Sequence, residues 1–200
     1  MKKALSGFLL TLFLILAPMA YSASPSDALK EHIDKVLEVL RDPTLKGEPG
    51  RKVKREKVRS ISEDLFDFAE LSKRSLGQNW KRFSPDQQEE FIKLFKSLLE
   101  RVYADKITSY TNEKVTFKGE ITLSEKSVEV PTTIVTKTSE IPIHYRLIEE
   151  KGHWKIYDVV IEGVSLVNNY RTQFREILAK KTPEALLDIL RKKVSDMRAS

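Results

Sequence analysis

Apolar residues recur along this chain first at helical spacing, then at strand spacing, then at helical spacing again. Leu29, Ile33, Val36, Leu37 and Leu40 follow Ser24-Pro25-Ser26-Asp27, where Ser or Asp can cap and a proline fits the first turn. Arg41-Asp42-Pro43 stops that helix, and Thr44 to Gly50 reads as a loop carrying Gly47, Pro49 and Gly50. A second helix places Val58, Ile61, Leu65 and Phe68 on one face and a basic run, Arg51 to Arg59, on the other. A short third helix ends at Gly77, which suits a left-handed C-cap, with Trp80 and Phe83 just beyond. Ser84-Pro85-Asp86-Gln87 is the clearest helix start, a capping box with proline in the first turn. The long helix after it carries a wide stripe: Phe91, Leu94, Phe95, Leu98, Leu99, Val102, Tyr103, Ile107 and Tyr110.

Beyond Tyr110 the period falls to two. Val115, Phe117, Ile121 and Leu123 predict one strand, Val128 to Thr138 a second, and Ile141, Ile143, Tyr145 and Leu147 a third. A turn over Glu149 to Gly152 leads into a fourth strand from Trp154 to Ile161. Short connections predict an antiparallel meander, and Pro131 and Pro142, lacking a ladder N–H, mark edges or bulges. In the fourth strand Trp154, Ile156 and Val160 share one face by simple alternation, and Tyr157, Val159 and Ile161 the other. So either both faces are covered or a bulge shifts the register near Asp158. At Gly163 to Ser165 the strand passes directly into a helix capped by Ser165, with Leu166, Tyr170, Phe174, Ile177 and Leu178 inward. A last helix opens at Thr182-Pro183-Glu184 and buries Leu186, Leu187, Leu190, Val194 and Met197. The expected fold class is α+β, a curved antiparallel sheet of about four strands wrapped by helices.

The start of the chain stands apart from that body. Lys2 and Lys3 precede an apolar run, Leu5 to Ala17, too short to span a bilayer comfortably, and Ala20-Tyr21-Ser22 offers a small-x-small cleavage site. Residues 1–22 read as a secretory signal peptide and 23–200 as a single α+β domain. Losing Lys2 and Lys3 lowers the formal charge of +6 to about +4, too weak a bias to define a partner. Nucleic acid is not expected outside the cytoplasm. The sequence holds 0 cysteines, which excludes disulfides, thiolate chemistry and lipidation at an N-terminal cysteine.

Catalytic patterns are thin. His32, His144 and His153 are scattered over a helix, a strand and a turn, with no metal-ligand spacing, no phosphate loop and no nucleophile elbow. Neither a metal nor a cofactor is expected. Asp158 and Glu162 fall on one face of the fourth strand, where carboxylates could serve as an acid–base pair. The structural alternative pairs Asp158 with Arg171 or another cation, fixing the strand to the helix after it.

The residues that stand out most together are Leu71-Ser72-x-x-Ser75-Leu76-Gly77-x-x-Trp80, the helix Gln88-x-x-Phe91 to Tyr103, and Trp154-Lys155-x-Tyr157-Asp158-Val159-x-Ile161-Glu162-Gly163-Val164-Ser165-Leu166 with Asn169-Tyr170-Arg171-x-x-Phe174. Over nearly the whole chain after the leader, this pattern resembles the MlaC-type periplasmic phospholipid carriers, also called the toluene-tolerance auxiliary substrate-binding family. The resemblance implies a fold like that of nuclear transport factor 2 with additional helices around a deep apolar cavity. It implies a phospholipid held by its acyl chains, and a monomer that shuttles between two membrane partners. These are an inner-membrane ABC transporter complex with an MCE-domain subunit and an outer-membrane lipoprotein–porin complex, which together maintain outer-membrane lipid asymmetry. The candidate cavity liners are Phe91, Phe95, Leu98, Val102, Tyr103, Tyr110, Ile134, Ile143, Tyr145, Val160, Val164, Val167 and Phe174, with Asp158 and Arg171 structural and no catalytic residue. Two other readings stay open: an enzyme on the same cone-shaped fold using Asp158, Glu162 or Tyr157, and a periplasmic interaction module docking through Lys54, Arg55 and Lys57.

Overall fold

A computed structural model describes residues 24–109 and 113–199. The expected signal peptide and Tyr110 lie outside the described residues. Six α-helices and six strands follow in order among these: α1 (Pro25–Arg41), α2 (Gly47–Leu65), α3 (Phe68–Leu76), a 3-10 turn (Gly77–Arg82), α4 (Pro85–Ser109), β1 (Lys114–Phe117), β2 (Ile121–Ser124), β3 (Ser127–Val135), β4 (Glu140–Glu150), β5 (His153–Ile161), β6 (Val164–Ser165), α5 (Leu166–Leu178) and α6 (Pro183–Ala199). All strands join one antiparallel sheet in the order β1–β3–β4–β5–β6, with β2 also on β3.

The strand count therefore exceeds the expected four, for two local reasons. The first predicted strand breaks at Gly119, where φ of 92° takes the backbone out of extended conformation, so β1 and β2 pair with successive stretches of β3. Pro131 sits on β3 opposite that break. Lys118 N–H donates to Pro131 O, so the proline's missing N–H, which points the same way, faces the gap rather than a ladder. The second addition is β6. The chain does not pass straight from strand to helix; Glu162 and Gly163, with φ of 49° and 82°, make a two-residue turn that folds Val164 and Ser165 back on Ile161 and Val160. Positive φ at both positions is the pattern of a type I′ hairpin, and Lys151-Gly152 repeats it between β4 and β5. Glu162 thus lies in a turn beyond β5, not on a strand face with Asp158.

Two departures concern helices. Gly47, Pro49 and Gly50 belong to the first turn of α2 rather than to a loop. Proline fits that turn, and Gly50 is needed because a Cβ there would stand 2.3 Å from the Leu45 carbonyl carbon. Gly77 ends α3 as expected, but at φ 55°, ψ −129°, a conformation outside the left-handed region and open chiefly to glycine. The capping box of α4 forms in both directions, Ser84 N–H donating to Gln87 Oε1 at 3.1 Å and Gln87 N–H to Ser84 Oγ at 3.3 Å.

The core is divided. One cluster is wholly helical, from α3 through α6, around Phe91, Phe95, Tyr170 and Phe174, whose rings meet edge to face at 4.8–5.3 Å. The other lies between the inner face of the sheet and Leu29 and Leu65 of the first two helices. Asp67 N–H donates to Ile156 O at 2.9 Å, pinning the α2–α3 junction to β5.

Candidate functional site

Helices α1 and α2 form a hairpin that stands over the inner face of the sheet without closing on it. Each presents an apolar stripe, yet only Leu29 and Leu40 of α1's stripe, and Val58 and Leu65 of α2's, are buried. Val36, Leu37 and Ile61 remain half-buried because the surface they face is space, not side chains, and half-buried Ile33 both borders that space and packs against the sheet cluster. That space is a cavity of about 1070 Å³. It lies just above the roughly 300–1,000 Å³ typical of small-molecule sites. The sheet supplies Ile134, Ile141, Ile143, Tyr145, Val159 and Ile161, and α4 closes the side with Glu100, Tyr103 and Ile107. A second, more open groove of about 980 Å³ follows the outer side of α1 and α2 and is lined largely by charged residues.

Of the candidate liners, Tyr103, Ile134, Ile143 and Tyr145 border the cavity. Phe91, Phe95, Leu98, Val167 and Phe174 fill the solid helical core instead, and Val102 packs against it. Helix α4 explains the split. Its apolar stripe is wide enough to serve two surfaces, and the large rings turn to α5 while the turn from Ser97 to Tyr103 also offers a flank to the cavity. Val164, on β6, is 57% exposed.

Val160 is displaced by the bulge. Arg146 pairs with Asp158 while its neighbour Leu147 pairs with Ile156, so Tyr157 is an extra residue on β5. The bulge reverses the alternation after Ile156. Val159 and Ile161 join Trp154 and Ile156 on the inner face, and Val160 turns with Asp158 to the other. Ile156 to Val160 are all buried, so both faces of β5 are covered as well.

Asp158 is 2% exposed and fully engaged. Its Oδ2 accepts from Arg146 Nη1 at 3.1 Å and from Ser165 Oγ–H at 2.6 Å, while Oδ1 accepts from Val167 N–H at 3.0 Å. Ser165 Oγ in turn accepts Asn168 N–H at 3.1 Å as the α5 cap. Arg146 continues to Glu129 at 2.9 Å, which also holds His144 Nδ1 at 3.0 Å. Burial pushes Glu129 up, but hydrogen bonds from Arg146 and His144 outweigh it and hold the carboxyl below the usual range. Glu129 and Arg146 alternate with inward Val128, Val130, Tyr145 and Leu147, so this chain of charges lies on the face away from the cavity. Asp158 takes its cation from Arg146, not from Arg171. Arg171 packs over Gly77 and donates Nε–H to Arg74 O at 2.8 Å, closing the exposed end of α3.

The α1 and α2 liners were not singled out from sequence, although the available signal was there: two amphipathic helices in succession with more apolar surface than two helices can bury in each other. Among the described residues, no group of His, Asp and Glu could hold a metal, and no helix is long and apolar enough to cross a membrane.

A curved sheet and a helical hairpin held apart around a largely apolar space, beside a separate and solid helical core, define an α+β protein with a ligand-sized cavity that opens to solvent. The MlaC protein family model matches residues 30–192, and the chain belongs to that family. It is 27% identical over 196 residues to the intermembrane phospholipid transport system binding protein MlaC of Haemophilus influenzae, covering 94% of this chain and 90% of that one. The toluene tolerance protein ttg2D of Pseudomonas putida matches at 23% identity over 101 residues, about half of each chain (50% and 47%). Among solved structures, the phospholipid-binding protein from Ralstonia solanacearum, in complex with a phospholipid, superimposes with a TM-score of 0.78 at 26% identity, over 88% of this chain and 99% of that one.

Proposed function

We propose that this chain binds a phospholipid in the cavity between the α1–α2 hairpin and the sheet, and carries it across the periplasm. Residues 1–22 serve as the export signal, and residues 23–200 form one lipid-binding domain. The carrier acts as a monomer, loading and unloading at an inner-membrane ABC transporter complex with an MCE-domain subunit and at an outer-membrane lipoprotein–porin complex. The observation that supports the reading most is the unfilled apolar space itself, in a chain whose fold matches a phospholipid-bound relative over 88% of its length.

The energetics suit a carrier. Each buried methylene contributes about 0.8 kcal/mol, so a dozen amount to roughly 10 kcal/mol. A lipid so held leaves slowly unless a partner opens the site. The acid–base alternative rests on Asp158, Glu162 or Tyr157; Asp158 is paired with Arg146 on the face away from the cavity, whereas Glu162 borders the cavity from the β5–β6 turn. Protein purified from the periplasm without detergent, extracted with solvent and analysed by mass spectrometry, carries near-stoichiometric phospholipid on this reading. Correctly folded protein without phospholipid overturns it.

A further inference from the structure

The cavity changes character along its length. On α2 the residues that border it run from exposed Lys52 and half-buried Arg55 to Val58, Ile61 and Leu65, of which the first and last are buried. Helix α4 reads the same way in the opposite chain direction, from buried Leu99 to exposed Lys106. The two helices are antiparallel. Lys96 binds Glu63 at 2.5 Å, and one turn further along, Glu100 and Arg59 are near enough for each to favour the other's charge. Continuing at the same spacing sets Lys52 and Arg55 opposite the turn from Tyr103 to Lys106. The charged ends of both helices thus coincide at the open end of the cavity, and their apolar ends at the closed one.

The acids of α2 and α4 on this wall are already matched. Glu48 pairs with Arg51 and Arg55, Glu56 with Arg59 at 2.9 Å, and Glu100 with Lys96 at 3.8 Å. Glu113 and Glu162 border the space from the sheet side, just before β1 and in the β5–β6 turn. Lys52 has no partner among the described residues. A cation left over at the open end of a largely apolar cavity suits an amphiphile whose polar end is anionic. We propose that the bound lipid lies along this axis, its phosphate at the open end with Lys52 as counter-ion and its acyl chains running toward Leu65. The inference rests on the phospholipid reading above and adds to it an orientation in the cavity and a preference for an anionic headgroup over an uncharged one.

The sequence has 0 cysteines, so a nitroxide can be attached at one chosen position. Val53→Cys and Asp64→Cys place it at exposed sites on α2, about 16 Å apart along the helix. With dioleoyl phosphatidylglycerol bound, the label at position 53 is expected to broaden the lipid phosphorus resonance more strongly, and the label at position 64 the chain-terminal methyl resonances. The reverse order overturns the inference. Lys52→Glu tests the counter-ion. It is expected to weaken phosphatidylglycerol binding about fivefold at low salt and to leave dioleoylglycerol, with the same chains and no phosphate, unchanged. Lys57→Glu makes the same charge change beside the outer groove and is expected to spare both lipids. Equal effects on the two lipids, or of the two substitutions, overturn the inference as well. Glycerol phosphate, which lacks the chains, is expected not to compete; displacement of the lipid by it at equal concentration would assign the site to free phosphate instead. If neither the wild type nor any folded variant binds phosphatidylglycerol, the phospholipid reading itself fails.

Discussion

Arg146 donates to Asp158 at 3.1 Å directly beside the bulge in the β4–β5 ladder. The pair therefore locks the residue at which β5 changes face, and Asp158 passes the constraint to Ser165 and Val167 at the start of α5. Removing one partner of a buried pair strands the other, at a cost of about 3–5 kcal/mol. Arg146→Met is expected near the lower end, since Asp158 keeps its other two donors. Asp158→Ala is expected to cost at least as much, because it leaves the Ser165 hydroxyl and the Val167 N–H without their acceptor, while Arg146 keeps only Glu129. Urea unfolding of both single variants and the double variant gives the coupling, and fully additive losses would remove the pair from the account.

Ser165 serves two neighbours at once, donating to Asp158 and capping Asn168 N–H. Ser165→Ala loses both, and about 1–2 kcal/mol of stability is expected to go with them. Ser165→Thr retains the hydroxyl and is expected to recover most of that loss in the same unfolding measurement.

Acid sensitivity follows from Glu129, whose carboxyl is held below its ordinary value of 4.5 by Arg146 and His144 despite burial. A depressed folded value means stability that is present above the unfolded value and disappears as pH falls through the folded one. The wild type is therefore expected to lose stability on acidification from about pH 5 downward. Glu129→Gln is expected to be less stable at neutral pH and to show a flatter slope over that interval. Thermal melts at a series of pH values compare the two slopes directly.

Period and punctuation in the sequence reach the elements well, because capping boxes, turn glycines and alternation are local. Ser84 and Gln87 meet as their spacing demands, and Ser165 caps α5. What alternation cannot carry is a bulge: one inserted residue at Tyr157 exchanges Val159 for Val160 on the inner face, although Asp158 stands out as the place where register changes. Nor does a stripe say whether it meets side chains or space. Phe91 and Phe95 belong to a stripe that continues to Tyr103, yet the rings fill a core while Tyr103 borders the cavity. The deciding contacts come from α5 and α6, which lie more than sixty residues away in the chain.

The same division predicts opposite outcomes for two kinds of substitution. Phe91→Ala removes a fully buried ring from the helical core and is expected to cost about 3–5 kcal/mol. What remains folded should still carry its lipid, because Phe91 does not border the cavity. Ile143→Trp instead extends bulk from the inner face of β4 into open space, so the usual penalty for overpacking is small there. The variant is expected to fold with near-native stability while its co-purifying phospholipid falls several-fold. Val160→Trp, one residue past the bulge from the cavity-facing Val159, is the control. It meets the covered outer face of β5 and should lose stability, with little change in lipid per folded molecule. Circular dichroism melts combined with lipid mass spectrometry separate the three. A lipid loss for Phe91→Ala matching that of Ile143→Trp would place the ligand against the helical core and overturn the assignment of the cavity.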